Sequence, residues 1–421
     1  MKLIKHLFLF LLLFIIICRP QFVFIPLGVN RFFGILGLLT YVFDKRNKRN
    51  IIGASGASVW RLMKYMLPVV IVSFVSLLVN NTSDFYFPFY AISIFLGFFS
   101  AYFFAYVLYR FYGEVNETVI NRYYTIVIVV FVLMALLCFF KPSVYEFFIS
   151  IENYDEIALG AMERTEGTRL VGIGANFFTA AVINGICLII LSVYIVTYRH
   201  SVRDYVMLFV AFAIISAVGM MMARTTVFGT ALGLAIMVVK LFSDKKNLIR
   251  MIVSMSVIFI AVFMIQQTMD LNLSDKSETL VNFGFEMFKN KEEGGNLETH
   301  SMLGVYEMLK IVPNDLPTWL IGDGLWVATD GGYYKHVDLG YLRDVWYFGL
   351  TGTLFVFLFY YKTIKIIFYD RRLFYPNHKI LLLTLFLFIL IVNGKGPGDP
   401  YFCIIPYFFC KSKKNIIEQP C

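Results

Sequence analysis

The chain has 421 residues, of which 59% are hydrophobic and 15% charged, and its mean hydropathy is +0.72. So apolar a composition excludes a water-soluble globular domain and an intrinsically disordered chain, both of which need far more polar surface. The net charge of +9 gives no reason to expect nucleic acid, because the basic residues collect in short connections between apolar runs, where they set membrane topology.

A helix needs roughly 17–25 apolar residues to cross the hydrocarbon core. In chain order the sequence predicts spans at Leu3–Cys18, Gly28–Phe43, Leu62–Val79, Phe85–Tyr109, Tyr123–Phe140, Asn176–Thr197, Asp204–Met222, Thr226–Phe242, Leu248–Gln267, Val345–Phe368, Lys379–Val392 and Tyr401–Cys410. The fold class expected is therefore an all-α polytopic membrane protein of about twelve transmembrane helices, the first, eleventh and twelfth being short. Lys2 and Lys5 before the first run resemble a signal peptide, but no small-residue cleavage site follows, and the run reads as a retained first helix.

The basic connections fix the expected orientation. Lys45, Arg46, Lys48 and Arg49, then Arg199 and Arg203, Lys245, Lys246 and Arg250, Arg371 and Arg372, and finally Lys411, Lys413 and Lys414 fall on one side of a twelve-span chain. That side is the cytoplasm, with both termini in it. Two enlarged loops, 141–175 and 268–345, then face outward. The larger carries thirteen Asp and Glu against six Lys and Arg, and a roof of this size suits an enzyme working on a lipid-linked substrate better than a transporter.

Within the larger loop, Asp275 and Glu278 read as a helix start followed by Leu280, Phe283, Met287 and Phe288 at helical spacing. Ser301–Ile311 reads as a second amphipathic helix, stopped by Pro313. Gly322-Asp323-Gly324 and Asp330-Gly331-Gly332 are turn signals. Together they predict a folded, partly helical cap on the membrane surface.

Arg169, Arg224 and Arg343 each stand at the outward start of a predicted span. A cation there opposes the helix dipole by roughly 0.3–1 kcal/mol, so three such placements point to an anion that helix N-termini and guanidinium groups would share. Contact with lipid headgroups, or pairing with Glu166 or Asp344, is the plain alternative for any one of them. Lys395, within the glycine-rich Asn393–Gly398, is a fourth outward cation that a simple loop explains equally well. The six cysteines lie in apolar runs, near their ends or in the tail, and read as small hydrophobes.

The span count, the two outward loops, Arg169-x-x-Gly172 before a span, Ala223-Arg224-Thr225 opening another, Gly322-Asp323-Gly324, Tyr333-Tyr334 and Asp338-x-Gly340-Tyr341-Leu342-Arg343 together resemble bacterial O-antigen and capsular polysaccharide polymerases of the Wzy type. The family's outward motif of Arg, ten residues, then Gly is not matched: Ala175 and Ala180 stand where Gly would follow Arg164 and Arg169. The resemblance implies a multi-pass glycosyltransferase of the bacterial cytoplasmic membrane. Its donor and acceptor would be undecaprenyl-diphosphate-linked glycans, polymerised into O-antigen or capsule on the outer side, with a chain-length regulator and a flippase as companions. It implies no cofactor, and the sequence has no Asp-x-Asp metal motif. On that reading Arg169, Arg224, Arg343 and Lys395 stabilise the diphosphate leaving group. An inverting transfer also needs a base, for which Asp338 comes first, then His336 and His300; capping of the tenth span is the plain alternative for Asp338. Tyr333, Tyr334, Tyr341 and Trp326 are candidates for stacking on sugar rings, or ordinary members of an interfacial aromatic belt. An O-antigen ligase shares the donor and differs in the acceptor, whereas a lipid-linked oligosaccharide flippase would show charges in the middle of its spans.

Overall fold

The computed structural model describes residues 2–25, 27–154, 159–160, 162, 167–175, 177–198, 200–241, 278–284, 286, 300–369 and 378–411. The ninth expected span, Leu248–Gln267, lies outside the described residues, as do loop residues 268–277 and 287–299 and the acidic Glu156, Glu163 and Glu166. Basic residues Arg199, Lys245, Lys246, Arg250, Arg371, Arg372, Lys413 and Lys414, used for the orientation, lie outside them too.

Among the described residues the regular structure is helical and no strand forms, although Val327 and Tyr333 make an isolated antiparallel bridge. In chain order the helices are α1 (Lys2–Cys18), α2 (Val29–Phe43), α3 (Lys45–Ser55), α4 (Val59–Val79), α5 (Tyr86–Tyr112), α6 (Glu117–Phe140), α7 (Pro142–Ile151), α8 (Phe177–Thr197), α9 (Val202–Met222), α10 (Thr226–Leu241), α11 (His300–Met308), α12 (Leu316–Ile321), α13 (Gly340–Ile364), α14 (His378–Asn393) and α15 (Tyr401–Ile404). Among the described residues six are long and apolar enough to cross a membrane: α4, α5, α6, α8, α9 and α13 with its continuation to Tyr369. Shorter apolar helices stand at Leu3–Cys18, Val29–Phe43, Thr226–Val239 and His378–Asn393. Exposed Leu67, Ile71, Val75 and Leu78 follow one another along α4 at helical spacing, the mark of a face made for lipid rather than water.

The twelfth expected span has a different form. Tyr401–Ile404 is one α-turn, Ile405–Phe409 continues as 3-10 helix, and every residue from Tyr401 to Cys410 is buried. At about 1.5–2.0 Å per residue it rises barely half of a ~30 Å hydrocarbon core, so this run fills the interior and does not cross. Three helices in the connections, α3, α7 and α12, were not expected from the apolar pattern. α3 starts where the Asp44 side chain accepts the Asn47 N–H at 3.1 Å, an ordinary N-cap.

The chain divides into two compact units, Met1–Ile120 with Glu298–Phe374 and Ile389–Cys421, and Asn121–Leu297 with Tyr375–Phe388. In lipid, apolar surface gives helices little reason to associate, and close backbone approach takes over. Both units show it. In the first, a Cβ on Gly37 of α2 would stand 1.9 Å from the Phe99 carbonyl oxygen of α5. In the second, a Cβ on Gly229 of α10 would stand 2.3 Å from the Gly185 Cα of α8, and α8 is buried along nearly all its length.

The helix α13 is broken. Phe348 (φ −141°) and Gly349 (φ 68°, ψ −174°) leave helical geometry, which frees carbonyls that an unbroken helix would satisfy. The first unit supplies donors for them: Asp323 N–H bonds the Trp346 carbonyl at 2.7 Å, Gly324 N–H the Tyr347 carbonyl at 2.9 Å, and the Ser76 hydroxyl of α4 the same Tyr347 oxygen at 2.7 Å. The expected Gly322-Asp323-Gly324 turn is present, with Gly322 and Gly324 at positive φ, and its purpose is to dock on this break. Two helical turns, Gly340–Tyr347, thus stand apart as a short N-terminal segment of α13.

Candidate functional site

In the first unit, the docked turn and the N-terminal segment of α13 bring several expected site residues together. Arg343 is buried, with its guanidinium 3.8 Å from the Trp326 ring and 3.9 Å from the Tyr333 ring. Stacking occupies the two faces of the fork and leaves its in-plane N–H groups for an anion. Trp326 is held in turn: its other face stacks on Tyr86, ring centroids 4.2 Å apart. Its backbone N–H donates to Asp84 Oδ2 at 2.7 Å, an oxygen that also accepts from Val327 N–H at 3.1 Å. Asp84 and Tyr86 were not singled out from the sequence; a lone acid in the short connection after α4 carries no signal until the fold brings the long loop to it.

Asp338 is exposed. The surrounding protein still strips enough water from its carboxyl to raise its pKa, while Arg343 first and Lys395 second pull the other way. Asp338, Arg343 and Lys395 therefore share one electrostatic neighbourhood. The residue does not cap α13: the N-cap position is Leu339, and no side chain bonds the helix start. Tyr334 lies beside this group, its hydroxyl donating to Asp323 Oδ2 at 2.8 Å; burial and that carboxylate push it up to about 12. Thr318 donates to the other Asp323 oxygen at 2.9 Å, so the turn aspartate is a tie-point of the loop.

The remaining candidates stand elsewhere. His336 is exposed at positive φ, with Nε2 3.8 Å from Asp330 Oδ2. His300 opens α11. Tyr341 donates its hydroxyl to the Leu390 carbonyl at 2.5 Å and stacks on Phe357, which places it inside the helix packing and away from a sugar. Trp326 is likewise buried, so Tyr333 is the ring with solvent access in the Arg343 stack.

Arg169 and Arg224 belong to the second unit. The segment carrying Arg169 is pinned by Leu170 N–H to the Met221 carbonyl at 3.2 Å and by Gly174 N–H to the buried Glu152 at 3.1 Å. Arg169 stacks on Phe177 at 3.8 Å, its Nε is buried without a hydrogen-bond partner, and it lines a cavity of about 100 Å³ with Cys138, Phe139, Pro142, Tyr145, Gly167 and Val171. Burial first, then repulsion from Arg224, lowers it to about 10, so it stays charged at neutral pH. Arg224 stacks on Phe283 at 4.2 Å, donates to the Phe283 carbonyl at 2.8 Å and pairs with Glu286. That acid partner was not foreseen among the loop carboxylates. Among the described residues no group of three or more His, Cys, Asp or Glu forms a metal-binding cluster.

Comparison with protein-family models, with curated proteins and with solved structures finds no match to the chain.

Proposed function

We propose that the chain is a membrane glycosyltransferase of the O-antigen or capsule polymerase type. The observation that carries the reading is the Arg343 cluster: a guanidinium with both faces stacked, a second cation in Lys395, and the exposed carboxylate of Asp338 in their field. A transfer from a lipid diphosphate needs cations for the leaving group and a base for the incoming hydroxyl. Asp338 takes the proton of the acceptor sugar hydroxyl, the hydroxyl oxygen forms the new bond at the donor's anomeric carbon with inversion, and the bond to the diphosphate breaks, its charge met by Arg343 and Lys395. Arg169 and Arg224 in the other unit give the chain a second pair of cations, and a polymerase handles two lipid diphosphates, one on the donor and one on the acceptor. The reading places the chain in the cytoplasmic membrane with its N-terminus cytoplasmic and the two large loops outside, and with the buried Tyr401–Cys410 run inside the protein in place of a twelfth crossing.

Deleting the gene and running the surface polysaccharide on a gel tests it. A polymerase mutant leaves a core carrying one repeat unit; a ligase mutant leaves no repeat on the core, and a flippase mutant exports none. Either of the last two patterns replaces the assignment. In a purified system with lipid-diphosphate repeat units, chelator should leave polymerisation intact, since the leaving charge is met by arginine.

A further inference from the structure

A second cationic recess lies in the first unit and shares no lining residue with the site described above. It has a volume of about 130 Å³ and is walled by Arg19, Gln21, Asn30, Arg31 and Ser93, with Leu27, Val29 and Phe402 among its apolar neighbours. One bound water needs roughly 10–15 Å³ of such space, so the recess takes a group several times larger.

Its chemistry is that of an anion receptor. Two guanidinium groups line it and no carboxylate does. The Arg19 guanidinium is held 4.3 Å from the Phe402 ring, and the Arg31 Nη2 reaches the Ser93 hydroxyl at 3.3 Å. Asp399 feels the Arg19 charge but is not in the lining, so at most one of the two cations is offset. The recess also receives the start of α2, whose N-cap Gly28 offers no side-chain bond, leaving first-turn N–H groups without intrahelical acceptors. Beside it, Val23, Phe24 and Leu27 are exposed, an apolar lip suited to an acyl chain.

We propose that this recess binds a phosphate group, as a phosphodiester or phosphomonoester held by Arg19, Arg31 and the open start of α2. The inference goes beyond the glycosyltransferase reading and does not depend on it.

The full chain purified in detergent provides the test. Native mass spectrometry with phosphatidylglycerol and with phosphatidylcholine, and calorimetry with inorganic phosphate, compare the wild type with Arg31→Gln and with Arg19→Gln/Arg31→Gln. Arg31 is exposed, so its single variant reports on binding without disturbing the fold, and Arg31→Lys restores the charge without the fork. Loss of a charge-assisted contact should weaken binding about tenfold, with Arg31→Lys in between. If phosphatidylglycerol binding falls in the variants, the ligand is an anionic lipid headgroup; if inorganic phosphate binding falls and lipid binding does not, it is a free phosphate. Equal binding of both probes by wild type and variants overturns the proposal, as does failure of the wild type to bind either.

Discussion

At the scale of single residues, the Arg343 stack separates two roles that charge alone would merge. A lysine there keeps a positive charge but loses the flat fork between Trp326 and Tyr333. On the proposed function, Arg343→Lys should slow polymerisation by roughly 10²–10³-fold in a purified system; wild-type rates would remove Arg343 from the mechanism. Asp338 gives a pH signature. A base works when ionised, and because its folded pKa is raised, the rate should climb with pH through a value above the ordinary ~3.9 of an aspartate. Asp338→Asn should lose about 10²–10⁴-fold and flatten that acidic limb. No helix cap is sacrificed in this variant, since Leu339 holds the N-cap position, so a near-normal rate with an unchanged limb would pass the role to His336 or His300.

Among the elements, the broken α13 is the one on which the first unit's candidate site hangs. Gly349 combines φ 68° with a Cβ position 2.2 Å from the Leu320 carbonyl carbon of α12. Gly349→Ala therefore meets both strain and collision, and should destabilise by more than the ~1 kcal/mol of an unfavourable left-handed alanine. A thermal melt in detergent shows this as a clear drop, and an unchanged midpoint would mean that the break is not built as described. Little of this element was legible in advance. The turn glycines of Gly322-Asp323-Gly324 were visible as punctuation, but their docking partner, the Trp346 and Tyr347 carbonyls, lies in an apolar run that reads as uninterrupted helix. Local pattern marks where a chain can bend; the hydrogen-bond partner that makes it bend comes from far along the sequence.

For the whole molecule, hydropathy was the most reliable guide: its long runs at α4, α5, α6, α8, α9 and α13 are helices of spanning length and composition. It misjudged Tyr401–Cys410 because apolarity reports burial without saying whether lipid or protein does the burying. Arg224 and Arg343 were legible as positions at helix starts, while their neighbours were not: Glu286 beside Arg224 and Trp326 beside Arg343 come from elsewhere in the chain. The proposed orientation is tested by fusing a reporter active only outside the cytoplasm. It should work at Glu156 and Gly294 and fail at Asn47, Lys246 and Arg371; activity at Lys246 would overturn the proposed order of crossings and the proposed outward placement of every site residue.

The turn that docks on α13 has a bearing on how such a protein can be altered. Its N–H groups fill acceptors inside a helix that begins sixteen residues later in the chain, so the long loop and the helix form a single heritable piece. A chimera that exchanges the loop but keeps the recipient's helix would leave the Trp346 carbonyl bare in an apolar setting, where an unmade bond costs several kcal/mol, and Tyr347 with the Ser76 hydroxyl alone. Grafts that exchange this loop should therefore be cut after Gly349, carrying turn and helix start together.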